Sequence, residues 1–177
     1  ILKSFPIIQA IMFMQELEAG AIANPDENRM VGHYWLRNPD LSPTPEIKKE
    51  IESEIKKIKD FEKSCSFRNV LCIGIGGSAL GPQLLEDALW EDQKRNLFFI
   101  DNTDPDGIKK VISKIPKLQE TLVVITSKSG RTKETRNAKL EVEEIFKKNN
   151  LDFDKQTVVI TAEGSELDSE KYLERFY

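Results

Sequence analysis

The chain has 177 residues, 39% of them hydrophobic and 32% charged, with a formal net charge of −4. That balance belongs to a water-soluble globular protein of one domain plus an appendage, long enough to bury a sizeable core. It argues against a nucleic-acid surface, which needs a basic face, but leaves a local anion site open. No apolar run approaches the roughly 20 residues of a membrane span.

Residues 1–64 carry no strand pattern and read as an N-terminal helical arm. The opening ILKSFPIIQAIMFM has an apolar stretch from Phe5 to Met14, interrupted by Pro6 and Gln9. It reads as an amphipathic helix rather than a signal peptide, because no small-residue cleavage site follows it cleanly. There is no initiator Met, so the natural N-terminus is expected upstream. The single histidine, His33, sits beside Tyr34, Trp35 and Leu36, which suggest a packed arm rather than a general acid. Further on, Ile47, Ile51, Ile55 and Ile58 recur on one helical face. Ser42 and Thr44 are candidate N-caps, and Pro43 and Pro45 mark the start.

Residues 65–177 alternate apolar runs with helical patterns. NVLCIG (69–74), LFFID (97–101), TLVVIT (121–126) and QTVVIT (156–161) read as strands buried on both faces. Between them lie helical patterns carrying Leu84, Leu85, Ala88 and Leu89, then Ile108, Val111, Ile112 and Ile115, then Leu140, Ile145 and Phe146. The alternation predicts an α/β domain: a three-layer, flavodoxin-like parallel sheet flanked by helices, with right-handed crossovers. Leu167, Tyr172, Leu173 and Phe176 read as one more helix, which would leave the domain short of its last strand. The two cysteines, Cys65 and Cys72, form no CxxC. Cys72 reads as a small buried hydrophobe, which suits a reducing compartment. No metal-ligand cluster is visible.

Two loops carry the chemistry. The first, Gly74-Ile75-Gly76-Gly77-Ser78-Ala79-Leu80-Gly81-Pro82, follows the first strand and opens a helix. Glycines there permit close backbone approach, and the helix start offers N–H groups to an anion. Gly74, Gly76 and Ala79 also satisfy the dinucleotide pattern G-x-G-x-x-A, with Asp101 where a ribose-binding acid should stand. A nicotinamide-binding domain therefore fits this loop equally well.

The second loop, Ser127-Lys128-Ser129-Gly130-Arg131-Thr132, follows the third strand. It supplies three hydroxyls, a glycine and two cations, groups that bind phosphate oxygens. Between Thr126 and Leu140, Lys128, Arg131, Lys133, Arg136 and Lys139 stand against Glu134 alone, a net +4 in an acidic chain. Cations near a helix start oppose the macrodipole, and a bound phosphate would compensate. The plainer readings are a solvated basic face for the lysines and arginines and helix capping for the hydroxyls.

GIGGSALGP (74–82) followed by SKSGRTKET (127–135) resembles the first sugar isomerase (SIS) domain of the phosphoglucose isomerase family. DNTDPDG (101–107) and AIANPDENRMVGHYWLR (21–37) support the resemblance, the latter matching a signature of the plastid-like and bacterial branch. The likeness runs from about Leu17 to Glu166. It implies that Ser127, Ser129 and Thr132, with Lys128 chiefly through its backbone, hold the phosphate of a hexose 6-phosphate, and that Gly77 and Ser78 lie along the sugar. Arg131 stands where related sequences often carry a small residue, which leaves its contact with phosphate open. The family interconverts glucose 6-phosphate and fructose 6-phosphate by ring opening and proton transfer through a cis-enediol, without a cofactor. Its catalytic glutamate, histidine, lysine and arginine have no counterpart here, so no catalytic residue is expected in 1–177, and the chain stops before an expected GGR segment. The resemblance further implies a homodimer when full-length and a cytoplasmic or plastid location. A non-catalytic SIS module that senses sugar phosphates is the alternative, although the basic recognition helix of a regulator is missing.

Overall fold

The computed structural model describes residues 5–26, 28–89, 91 and 94–177, with the backbone alone at Phe5. Ile1–Ser4 of the opening segment and Glu27 of the 21–37 signature lie outside the described residues. The chain divides into two compact units, Ile1–Ser64 and Cys65–Tyr177.

In the first unit, α1 (Phe5–Glu18) is a helix, but its apolar side chains are exposed around its circumference, Ile8 and Ile11 as well as Phe13 and Met14. The amphipathic face expected there is not buried. A short 3-10 turn, His33–Leu36, buries Trp35 and leaves His33 exposed. Gly32 is required at this turn, because a Cβ there would lie 2.0 Å from the Trp35 ring. Helix α2 (Pro45–Ser64) begins with proline at its first position, where a missing N–H costs nothing. Thr44 Oγ1 accepts from the Ile47 amide at 3.4 Å and caps it. Ile47, Ile51 and Ile55 are half-buried on its face, while Ile58 is exposed.

The second unit is a five-stranded parallel sheet in the order β2-β1-β3-β4-β5. Its strands are β1 (Asn69–Ile73), β2 (Asn96–Ile100), β3 (Thr121–Thr126), β4 (Thr157–Ile160) and β5 (Glu174–Phe176). Helices α3 (Gly77–Ala88), α4 (Pro105–Ile112) and α5 (Lys133–Lys148) make the first three crossovers. The core lies on the α4/α5 face. Leu71, Ile73, Val123, Ile125 and Val159 of the sheet pack there with Ile108, Ala138, Val142 and Phe146. Phe146 is fully buried and meets Phe153 edge-on at 5.6 Å between ring centres. On the opposite face α3 buries Ala79, but Leu80, Leu84, Leu85 and Leu89 stay more than half exposed. The burial on both faces expected of the strands is therefore complete only on the α4/α5 side.

The stretch after Thr161 differs from its sequence reading. It forms turns and then the short strand β5, which pairs in parallel with β4 through Val158–Glu174, Val159–Arg175 and Ile160–Phe176. Gly164 takes φ +71°, and Ser165 and Ser169 carbonyls close backbone turns, so the spacing of Leu167, Tyr172 and Phe176 is not helical. All three still reach the interior. No described helix is long and apolar enough to cross a membrane.

Candidate functional site: two loops at the switch point of the sheet

Strands β1 and β3 are neighbours, with Ile73 paired to Ile125. Adjacent strands run about 4.8 Å apart. The loops that begin at Gly74 and Ser127 therefore leave the same edge of the sheet almost side by side. From β1 the chain turns toward β2, and from β3 it turns the other way toward β4. The strand order reverses between them, and in open α/β sheets that is where ligands bind.

The first loop is set by its glycines. A Cβ on Gly74 would stand 3.0 Å from Ser78 Cβ and 3.1 Å from the Ser78 carbonyl, so the loop folds tightly back on the first turn of α3. Gly76, at φ +57° and ψ −125°, holds the N-cap position in a conformation that side-chain-bearing residues rarely adopt. Nothing lies within 4 Å of where a Cβ would project from Gly76 or Gly77, so the backbone there is open to approach. Gly77 is exposed and Ser78 half-buried.

The second loop brings two of its three hydroxyls together. Buried Ser127 donates from Oγ to Thr132 Oγ1 at 3.3 Å. Thr132 is the N-cap of α5, yet its side chain caps no N–H of the helix. Capping therefore does not account for Thr132. Ser129 Oγ instead accepts from the Arg131 amide at 3.2 Å, and Ser129 and Lys128 are both exposed. Among the local cations, Arg131 pairs with Glu166 at 3.3 Å and Lys139 with Glu143 at 3.1 Å. Lys133 and Arg136 are exposed on α5.

The residues beyond β4 that back the second loop carried no site signal in the sequence. Thr161, at the end of β4, donates from Oγ1 to the Ser127 carbonyl at 2.8 Å and to the Lys128 carbonyl at 3.3 Å. The Ala162 amide donates to the same Lys128 carbonyl at 2.9 Å, and the Ser127 amide to the Ile160 carbonyl at 3.0 Å. Gly130, at φ +70°, lies so close to the turn after β4 that a Cβ would stand 3.0 Å from both Glu166 Cβ and the Leu167 nitrogen. The loop is thus backed by the 161–167 segment. Thr135, in the first turn of α5, is buried with its hydroxyl unpartnered.

Other candidate features have local structural roles. Asp101 already accepts from Gln83 Nε2 at 3.1 Å and from Asn102 Nδ2 at 3.3 Å. A ribose hydroxyl would have to compete with both. DNTDPDG is a helix start: Asp104 Oδ2 accepts from the Gly107 amide at 2.8 Å, and Asn102 Oδ1 from the Asp104 amide at 3.0 Å. Among the described residues, no group of three or more His, Cys, Asp or Glu side chains could hold a metal ion.

The chain is similar to known proteins over most of its length. The chain is 51% identical over 176 aligned residues to a glucose-6-phosphate isomerase of Desulfitobacterium hafniense, covering 92% of this chain and 33% of the relative. It is 47% identical to that of Gloeothece citriformis, covering 95% and 35%. Among solved structures, a glucose-6-phosphate isomerase from Chlamydia trachomatis superimposes with a TM-score of 0.87 at 29% identity, over 96% of this chain and 35% of that one. The chain spans about a third of the length of the curated relatives it matches. A model of the phosphoglucose isomerase family matches residues 8–169, both loops included, and the chain belongs to that family.

Proposed function

We propose that the two loops bind a hexose 6-phosphate, and that the chain is the sugar-phosphate-binding part of an aldose–ketose isomerase acting on glucose 6-phosphate and fructose 6-phosphate. The observation that carries this reading is the pair of loops side by side at the β1/β3 switch point, the second with an N-cap hydroxyl that caps nothing. Ser127, Ser129 and Thr132 hold the phosphate with their hydroxyls, and Lys128 chiefly with its backbone. Gly77 and Ser78, on the open first loop, lie along the sugar. Phosphate is not altered in the reaction. Its binding energy orients the first two carbons, between which the proton moves.

The acid–base groups that open the ring and carry the proton come from outside residues 1–177. Among the described residues, the carboxylates with a displaced pKa, Glu46, Glu120 and Asp168, are displaced downward, which makes each a weaker proton acceptor than an ordinary carboxylate. By itself this chain binds substrate and does not turn it over. Aldose–ketose isomerisation moves a proton within one molecule and needs no redox cofactor.

Fructose 6-phosphate and NAD separate this reading from a dinucleotide-binding domain. At millimolar concentration fructose 6-phosphate raises the unfolding temperature of the chain, by the linkage of binding to stability, while NAD leaves it unchanged. A shift with NAD alone would contradict the proposal.

A further inference from the structure

We infer that Thr161 and Ser165 are positioning residues for the phosphate loop, aiming its backbone amides into the crevice through a relay of hydroxyls. The inference rests on the phosphate reading above and names the device that shapes that site. Thr161 is buried and has one hydroxyl proton, which goes to the Ser127 carbonyl at 2.8 Å with a weaker share to the Lys128 carbonyl. At its 2.5 Å contact with Ser165, Thr161 must therefore accept, and Ser165 Oγ donates. Ser165 Oγ in turn accepts from the Leu167 amide at 3.2 Å. The relay runs from the Leu167 amide through Ser165 and Thr161 to the Ser127 carbonyl, each bond polarising the next.

Peptide planarity turns this anchor into a direction. All described peptide bonds are trans, so the C=O and N–H of one peptide unit point opposite ways. With the Ser127 carbonyl held toward Thr161 at the end of β4, the Lys128 N–H points away from β4. The Lys128 carbonyl, held by the Ala162 amide at 2.9 Å, sets the Ser129 N–H in the same way. Because β3 lies between β4 and β1, away from β4 means toward β1 and the Gly74–Ser78 loop. The two amides are thereby aimed before any ligand arrives, as a preorganised anion site requires.

The test is a titration of the 177-residue chain with inorganic phosphate, followed by amide shifts in two-dimensional NMR, for wild type, Thr161→Val, Thr161→Ser and Ser165→Ala. In unliganded Thr161→Val the Lys128 and Ser129 amides shift while those of β1 and α5 stay. Phosphate affinity falls about tenfold, as expected for losing one hydrogen bond that shapes a charged site. Thr161→Ser, which keeps the hydroxyl, restores it to within about threefold. Equal affinity in wild type and Thr161→Val overturns the inference, and so does an equal loss in Thr161→Ser, which would assign the effect to the methyl group. If Thr161→Val does not fold, Ser165→Ala decides: weaker phosphate binding supports the relay and unchanged binding overturns it. A wild-type chain whose loop amides do not respond to phosphate overturns the phosphate reading itself.

Discussion

Ile73 and Ile125 are register partners on adjacent parallel strands, and within two residues of each the chain leaves the sheet into a loop suited to an anion. That pairing starts the loop of Gly77 and Ser78 beside the loop of Ser127 and Thr132, although about fifty residues separate them in sequence. Both loops therefore start from backbone that is rigid at the strand ends and glycine-shaped just beyond them.

Gly130 tests how closely the second loop is fitted to the turn behind it. Its φ is +70°, and a Cβ would meet Glu166 Cβ and the Leu167 nitrogen at 3.0 Å. Gly130→Ala combines backbone strain with a clash against main chain. It is expected to cost about 1–3 kcal/mol of stability and to weaken binding of fructose 6-phosphate. Urea unfolding measures the first effect and calorimetry the second. A stability equal to wild type would show that the loop can shift to accept the methyl group.

Asp168 ties the β4–β5 connection together. Its carboxylate accepts from the Gly164 amide, the Tyr177 hydroxyl and Arg175, which hold its pKa below the ordinary aspartate value of 3.8. A lowered folded-state pKa contributes stability above the unfolded value, and that contribution is lost as pH falls through the lowered one. Thermal unfolding from neutral to acid pH should show wild type losing this share below 3.8, while Asp168→Asn, already without the charge, shows a shallower fall. Parallel pH profiles for the two proteins would remove Asp168 from the account.

Burial pushes the Cys72 thiol up from 9.0 to about 11. A thiol kept protonated reacts slowly, since the thiolate is the nucleophile. Cys72 is half-buried, so a disulfide reagent at pH 8 should label it more slowly in the native chain than in the unfolded one. The sign on stability follows: the contribution is full below 9.0, the unfolded value, and is lost as pH rises through about 11. Labelling of the native chain as fast as that of the unfolded chain would contradict the raised thiol pKa.

Much of this was legible from sequence where the signal was local. The four long strands announced themselves as apolar runs, and the β3 loop stood out because its hydroxyls and cations lie within a few residues. Thr161 was not legible, since its bond to Ser127 spans 34 residues and exists only because β4 lies beside β3. The segment after Thr161 has helical spacing in sequence but forms turns and a strand. Leu167, Tyr172 and Phe176 are buried as that pattern suggested, but Gly164 at positive φ and the turns at Ser165 and Ser169 deliver them from loop and strand. The leucines of α3 marked a helix correctly, yet periodicity could not say that Leu84 and Leu85 would remain exposed.

The central claim is that the β3 loop holds the phosphate, and calorimetric titration of fructose 6-phosphate into Thr132→Val and Lys128→Ala tests it most directly. Thr132→Val keeps the shape of the N-cap but removes a hydroxyl whose oxygen accepts no capping bond from α5. A hydrogen bond to a charged group contributes about 1.5–3 kcal/mol, so affinity should fall roughly 10- to 150-fold. Lys128→Ala should lose less, because the backbone of Lys128 is its chief contact. Unchanged affinity in Thr132→Val, or a larger loss in Lys128→Ala, would contradict the assignment of the phosphate to these groups.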